Sequence, residues 1–240
     1  MNRYLEKFFQ ESVASYPSLQ WGACELKTVL ENHSDALSSF PEAKGFVRAL
    51  VFALPLPTGA LIDVRGAPTP LYLHHYRQLN YALDRLAYSA ALAIEEDGYR
   101  AVAIPASQYT TVHPQPKGHL SHRILAYYAG LGFIGRSRLL VNMRFGPRVR
   151  LATVLTDTEI PVNQRLLAPV SEMTSRGCGD CRRCVESCPA GAIGETSADY
   201  KLEKCLAKLE EFRKIQFVGQ HICGICIKVC PFSGIGNQGH

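Results

Sequence analysis

The chain has 240 residues, of which 47% are hydrophobic and 20% charged. This is globular composition and excludes a disordered, collagenous or coiled-coil polypeptide. The formal charge of +5 is too small to argue for a nucleic-acid partner, and no apolar run reaches the ~18–20 residues of a membrane span.

Residues 2–14 place Tyr4, Leu5, Phe8, Phe9 and Val13 at helical spacing and predict a first helix. Charges interrupt this apolar stretch and no small-residue cleavage site follows, so the expectation is a cytoplasmic protein without a leader. Residues 21–39 show no clear period. Phe46 to Leu56 is apolar and ends in a proline-rich stretch, which predicts a buried strand. From His75 to Asp97, Leu79, Leu83, Leu86, Ala90 and Ile94 share one face of a long helix that stops at Gly98. His74 and His75 fall at its start, as capping or surface groups. Tyr99 to Pro105 predicts a second strand, and Ala106 to Gly118 a polar loop. Leu120 to Leu131 returns to helical spacing before the glycines of AGLGFIG, residues 129–135. Arg138 to Asn142 and Val149 to Thr156 read as strands joined by a hairpin turn at Arg144-Phe145-Gly146-Pro147. Residues 161–174 read as a linker. The pattern predicts an α/β fold: an N-terminal α/β domain with a small sheet over residues 1–170, then a cysteine module over 171–240.

Nine cysteines are present, and eight lie between Cys178 and Cys230. An odd count cannot pair completely as disulfides, and the clustering points to metal. Cys24 stands apart and reads as a small buried hydrophobe. Cys178, Cys181, Cys184 and Cys188-Pro189 spell C-x2-C-x2-C-x3-C-P, the run of two-cluster ferredoxins, in which the fourth cysteine serves the other cluster. Cys223, Cys226 and Cys230-Pro231 repeat it without a first cysteine. Cys205 replaces that residue, on a helix whose Leu202, Cys205, Leu206, Leu209 and Phe212 share a face. The expected ligand sets are therefore Cys178, Cys181, Cys184 and Cys230 for one [4Fe–4S] cluster, and Cys188, Cys205, Cys223 and Cys226 for the other. Zinc is the alternative for paired C-x2-C units, but overlapping triplets of this kind suit it poorly. Two clusters at about −2 each would also offset most of the chain's positive charge.

Residues 119–140, HLSHRILAYYAGLGFIGRSRLL, followed by Leu155-Thr156-Asp157 and this cysteine array, resemble epoxyqueuosine reductases and the related reductive dehalogenases. The resemblance implies a ferredoxin-like two-cluster module that delivers electrons to a cobalamin. It also implies that Gly130, Gly132, Ile134 and Gly135 form the cofactor-binding segment, with backbone approaching the corrin ring. The bland reading of the same glycines is a helix cap and a tight turn. Where those reductases carry a proton-donating aspartate after the strand matching Tyr99 to Pro105, this chain has Pro105 and Ala106. The chain also ends ten residues after its last cysteine, without the family's RNA-holding extension. The candidates left for proton transfer are Tyr109, His113, His119 and His122, with Lys117 nearby.

The expected function is a cytoplasmic iron–sulfur oxidoreductase that relays electrons through two [4Fe–4S] clusters to a corrinoid in the N-terminal domain, without reducing epoxyqueuosine itself. Its electron donor would be a low-potential ferredoxin or flavodoxin, and its substrate a small molecule or a protein-bound group. The alternative is a non-catalytic electron carrier or reductive activator that docks on a corrinoid protein.

Overall fold

A computed structural model of the protein describes residues 3–37, 43, 45–110, 116–162 and 170–235. The chain packs as two compact units, one comprising residues 1–55, 79–131 and 150–167, the other residues 56–78, 132–149 and 168–240.

The first unit is built on helix α1 (Arg3–Ser15), strand β1 (Gln20–Glu25), helix α2 (Leu26–Asn32) and strand β2 (Arg48–Pro55). Leu5, Phe8 and Phe9 of α1 are buried. Phe9 stacks on Trp21 with centroids 4.0 Å apart, and Phe8 meets Phe52 edge-on at 5.8 Å. Aromatic burial of this kind contributes roughly 1.5–3 kcal/mol per side chain. The carboxylate of Asp97 accepts from the amides of Tyr4 and Leu5, at 3.3 and 3.2 Å. A negative group is thereby set against the exposed N–H groups of the helix start. Residues 21–39, without a clear period in the sequence, contain the edge strand β1 and the short α2.

Helix α3 (Pro70–Glu96) begins five residues before the expected His75. The early start has a local cause: the Thr69 hydroxyl accepts from the Tyr72 amide at 3.1 Å, and Pro70 suits the first helical position. His74 and His75 therefore lie inside the helix rather than capping it. Leu83, Leu86, Ala90 and Ile94 are buried as their spacing implied. Strand β3 (Ala101–Ile104), helix α4 (His122–Tyr128), the two-residue strands β4 (Phe133–Ile134) and β5 (Leu140–Val141), and strand β6 (Val149–Thr156) follow.

The main sheet has the order β1-β2-β6-β3. β1 pairs antiparallel with β2, Gln20 opposite Ala53, and β3 pairs antiparallel with β6, Ala101 opposite Thr156. The flanking bonds from Val47 N to Thr156 O, 2.9 Å, and from Leu56 N to Arg148 O, 2.7 Å, run β6 antiparallel to β2 as well. Six successive residues of β2 are buried, which explains its unbroken apolar run.

The second unit corrects two expectations. The turn at residues 144–147 forms, closed by reciprocal bonds between Asn142 and Gly146 at 3.0 and 2.8 Å, with the Asn142 carboxamide accepting from the amides of Arg144 and Phe145. The strands beside it do not pair with each other, however: β5 pairs with β4, while β6 enters the main sheet. The linker expected over 161–174 gives way at Val170 to helix α5 (Val170–Cys178), with residues 163–169 outside the described ones. Helices α6 (Arg183–Glu186), α7 (Leu202–Arg213) and α8 (Ile225–Lys228) complete the unit. Where the sequence suggests one boundary near residue 170, residues 56–78 and 132–149 group with the cysteine module. A ~60-residue segment with few large apolar groups buries too little surface alone, and these segments add to it. Among the described residues no helix is long and apolar enough to cross a membrane.

Candidate metal centre

The eight clustered cysteines are all unpaired and half-buried. Cys178 closes α5, Cys184 lies in α6, Cys205 in α7 and Cys226 in α8. Tight turns bring neighbouring ligands round: Cys181 N donates to Cys178 O at 3.0 Å, and Gly224, with φ +84, opens α8 between Cys223 and Cys226. The Ala192 amide donates to the Cys188 sulfur at 3.4 Å.

A small cavity is lined by five of the cysteines, Cys178, Cys181, Cys184, Cys226 and Cys230, together with Gly135 and Arg136. The thiols also influence one another electrostatically. Burial pushes Cys230 up to about 11, and Cys184, Cys178 and Cys181 add to the rise. Burial likewise pushes Cys223 up to about 11, with Cys205 and Cys188 adding. Cys205 is raised by burial first and by Cys188, while a hydrogen bond from Tyr200 lowers it. Cys226, raised by burial, feels Cys223 and then Cys184, ahead of Cys205 and Cys188, so it couples to both expected sets. Such thiols hold their protons at neutral pH until a metal displaces them. All-sulfur donor sets without carboxylate or imidazole fit iron–sulfur clusters. Cys24, by contrast, is 3% exposed on β1, and burial pushes its thiol up to about 12.

Arg136 and Tyr200 carry no signal in a cysteine count and emerge only from the structure. Arg136 donates through Nε to Glu195 O at 2.6 Å, and through its two Nη groups to Cys181 O and Gly179 O, each at 2.9 Å. Burial raises the Cys184 thiol most, and the Arg136 charge pulls it the other way.

The segment expected to cradle a corrinoid is less open than its glycines suggest. A Cβ on Gly132 would stand 2.2 Å from Val141 O, and one on Gly135 would stand 2.9 Å from Val141 Cγ2 and 3.6 Å from Cys178 Sγ. Ile134 is buried in β4, and its carbonyl accepts from the Thr174 hydroxyl at 2.6 Å. Of the four, Gly130 alone has open space where a side chain would be; its φ of +76 caps α4. Gly132 and Gly135 thus serve close packing, which leaves no room for a ring against them, and Gly130 is an open helix cap.

Of the proton-transfer candidates, His122 has a defined duty. Its Nε2 lies 2.9 Å from Pro105 O and its Nδ1 lies 2.8 Å from the Thr153 hydroxyl. A carbonyl only accepts, so Nε2 carries the proton and Nδ1 accepts from Thr153. Burial, more than the nearby charges of Arg150 and His119, holds this ring down to about 4, so it is neutral and engaged at both nitrogens. The same strap holds the next residue: the Ala106 amide donates to Asp84 at 2.7 Å, and Arg150 donates to Ala106 O and to Asn80, each at 2.9 Å. Tyr109 is exposed and His119 half-exposed, Lys117 accepts through its carbonyl from Thr110 at 2.7 Å, and His113 lies outside the described residues.

The cysteine array marks a two-cluster iron–sulfur module, and residues 177–233 match the 4Fe-4S double cluster binding domain. About half of the chain is similar to two groups of reductases. It is 34% identical over 131 residues to epoxyqueuosine reductase of Lactococcus garvieae (strain Lg2), covering 51% of this chain and 35% of that one. It is 31% identical over 129 residues to tetrachloroethene reductive dehalogenase of Desulfitobacterium hafniense, covering 48% and 23%. The chain thus spans about a third or less of these relatives. Its fold is similar to that of a catabolic reductive dehalogenase solved with 3-bromo-4-hydroxybenzoic acid, with TM-score 0.66, 20% identity, and 89% and 30% of the two chains covered. It is also similar to epoxyqueuosine reductase of Streptococcus thermophilus, with TM-score 0.60, 21% identity, and 97% and 67% covered.

Proposed function

We propose that this protein takes electrons from a low-potential ferredoxin- or flavodoxin-type donor and passes them singly through two [4Fe–4S] clusters to a corrinoid. Cys178, Cys181, Cys184 and Cys230 would hold one cluster, and Cys188, Cys205, Cys223 and Cys226 the other. The observation that carries this reading is the match of residues 177–233, with all eight clustered cysteines, to the 4Fe-4S double cluster binding domain. The clusters supply one-electron transfer; the chain's part is to hold them, exclude water and set their potentials. The corrinoid is supported by the similarity to reductive dehalogenases, one of which is described by a structure that suggests a mechanism for B12-dependent dehalogenation. The substrate would be a small molecule or a protein-bound group, reached with Tyr109 or His119 as the remaining described proton sources.

A second reading, an electron carrier or reductive activator that docks on a separate corrinoid protein, is favoured by the packing of Gly132 and Gly135 against their own hairpin. One anaerobic experiment separates the two. The purified protein should contain eight iron and eight sulfide per chain, and Cys205→Ala should lose four of each. Titration with cobalamin should then give a stoichiometric spectral change. Zinc in place of iron would overturn the cluster assignment, and an unchanged cobalamin spectrum would leave the carrier reading standing.

A further inference from the structure

Resting on the two-cluster reading, we infer that Arg136 is a positioning residue of the Cys178–Cys181–Cys184–Cys230 cluster, and that its charge raises that cluster's reduction potential. The guanidinium bonds three backbone carbonyls, and two of them, Gly179 O and Cys181 O, belong to the loop that presents Cys178 and Cys181. The third, Glu195 O, lies beyond the loop and anchors the fork. A planar guanidinium with five donors can bond three carbonyls at once and keep its positive charge beside them.

The same geometry leaves the charge unneutralised. All three acceptors are uncharged carbonyls. The Glu195 carboxylate is paired with Arg182, as Glu186 also is at 3.9 Å, and among the described residues no ion pair of Arg136 is found. Arg136 lines the cavity of the thiols and its charge acts on Cys184, so a cation stands beside the group that gains an electron. A cation there stabilises the more negative, reduced state, and the local net charge is one of the levers that set such potentials.

The test is a redox titration of the reconstituted holoprotein, followed by electron paramagnetic resonance, in the parent, Arg136→Gln and Arg136→Lys. Cys205→Ala, which retains only this cluster, assigns its signal. In Arg136→Gln with eight irons, the reduction equilibrium of this cluster should fall at least tenfold, about 59 mV for one electron. The other cluster should not move, and Arg136→Lys should stay within threefold of the parent. An unshifted potential in Arg136→Gln, or an equal fall in Arg136→Lys, overturns the inference. If Arg136→Gln retains only four irons, Arg136→Lys decides: eight irons at the parental potential support the inference, and loss of either refutes it. A parent without two clusters would instead defeat the reading on which the inference rests.

Discussion

Mild acid should weaken this protein through His122, and the size of the effect follows from its surroundings. The imidazole titrates near its ordinary 6.5 in the unfolded chain and near 4 when buried between Thr153 and Pro105. A histidine lowered in the folded state binds its proton more readily when unfolded. Its contribution is therefore complete above 6.5 and is lost as the pH falls from 6.5 toward 4. The full difference is about 3 kcal/mol, and about 2 kcal/mol of it is lost between pH 7.5 and 5. That is a large share of a typical domain's stability. The residue next in charge is Arg150, which also acts against the imidazolium, and His119 adds to it.

The perturbation that isolates this term is His122→Gln, which can still donate to Pro105 O but does not titrate. At pH 7.5 the variant should be less stable by roughly 1–3 kcal/mol, for the lost partner of Thr153. Because carboxylates titrate equally in both proteins, the gap between them should close by about 2 kcal/mol as the pH is lowered to 5. Anaerobic urea midpoints at a series of pH values measure the gap, and NMR titration of the labelled imidazole measures its protonation directly. A gap that stays constant with pH, or a ring that titrates near 6.5, would refute the reasoning and restore His122 as a proton donor.

Gly132→Ala should lower the thermal midpoint, because its Cβ meets the Val141 carbonyl at 2.2 Å; overpacking of this kind costs about 1–3 kcal/mol. A variant as stable as the parent would reopen Gly132 as a cofactor contact. Tyr200→Phe removes the hydrogen bond to Cys205 and should make the potential of the second cluster more negative at an unchanged iron count; an unmoved potential would show that the bond does not tune it. The reduced, cobalamin-loaded protein should show no appreciable turnover of epoxyqueuosine in RNA, since Pro105 and Ala106 carry no acid there and their backbone groups are tied to His122, Asp84 and Arg150. Robust conversion would show that another donor serves.

The cysteine module was the readily legible part of this chain because metal ligation imposes spacing on the sequence itself. The C-x2-C-x2-C-x3-C-P run sets its cysteines at fixed distances along the backbone, and residues 177–233 match a double-cluster domain. Strands β2 and β3 and the long α3 were legible for a similar reason: their periods are local. What stayed hidden depends on partners far away in sequence. The turn at residues 144–147 looks like a hairpin from its own residues, yet β6 finds better pairing between β2 and β3 than with β5. The glycines of residues 130–135 look equally free, yet neighbouring hairpin atoms leave only Gly130 uncovered. His122 has the chemistry of a proton donor, and only Thr153, 31 residues away, and Pro105, 17 away, reveal that both ring nitrogens are engaged. Arg136 reverses that case: it sits unremarked in a glycine-rich motif, while its three acceptors lie 43 to 59 residues downstream. A residue's chemistry can thus be read from its type, but its availability is set by the groups that the fold brings to it.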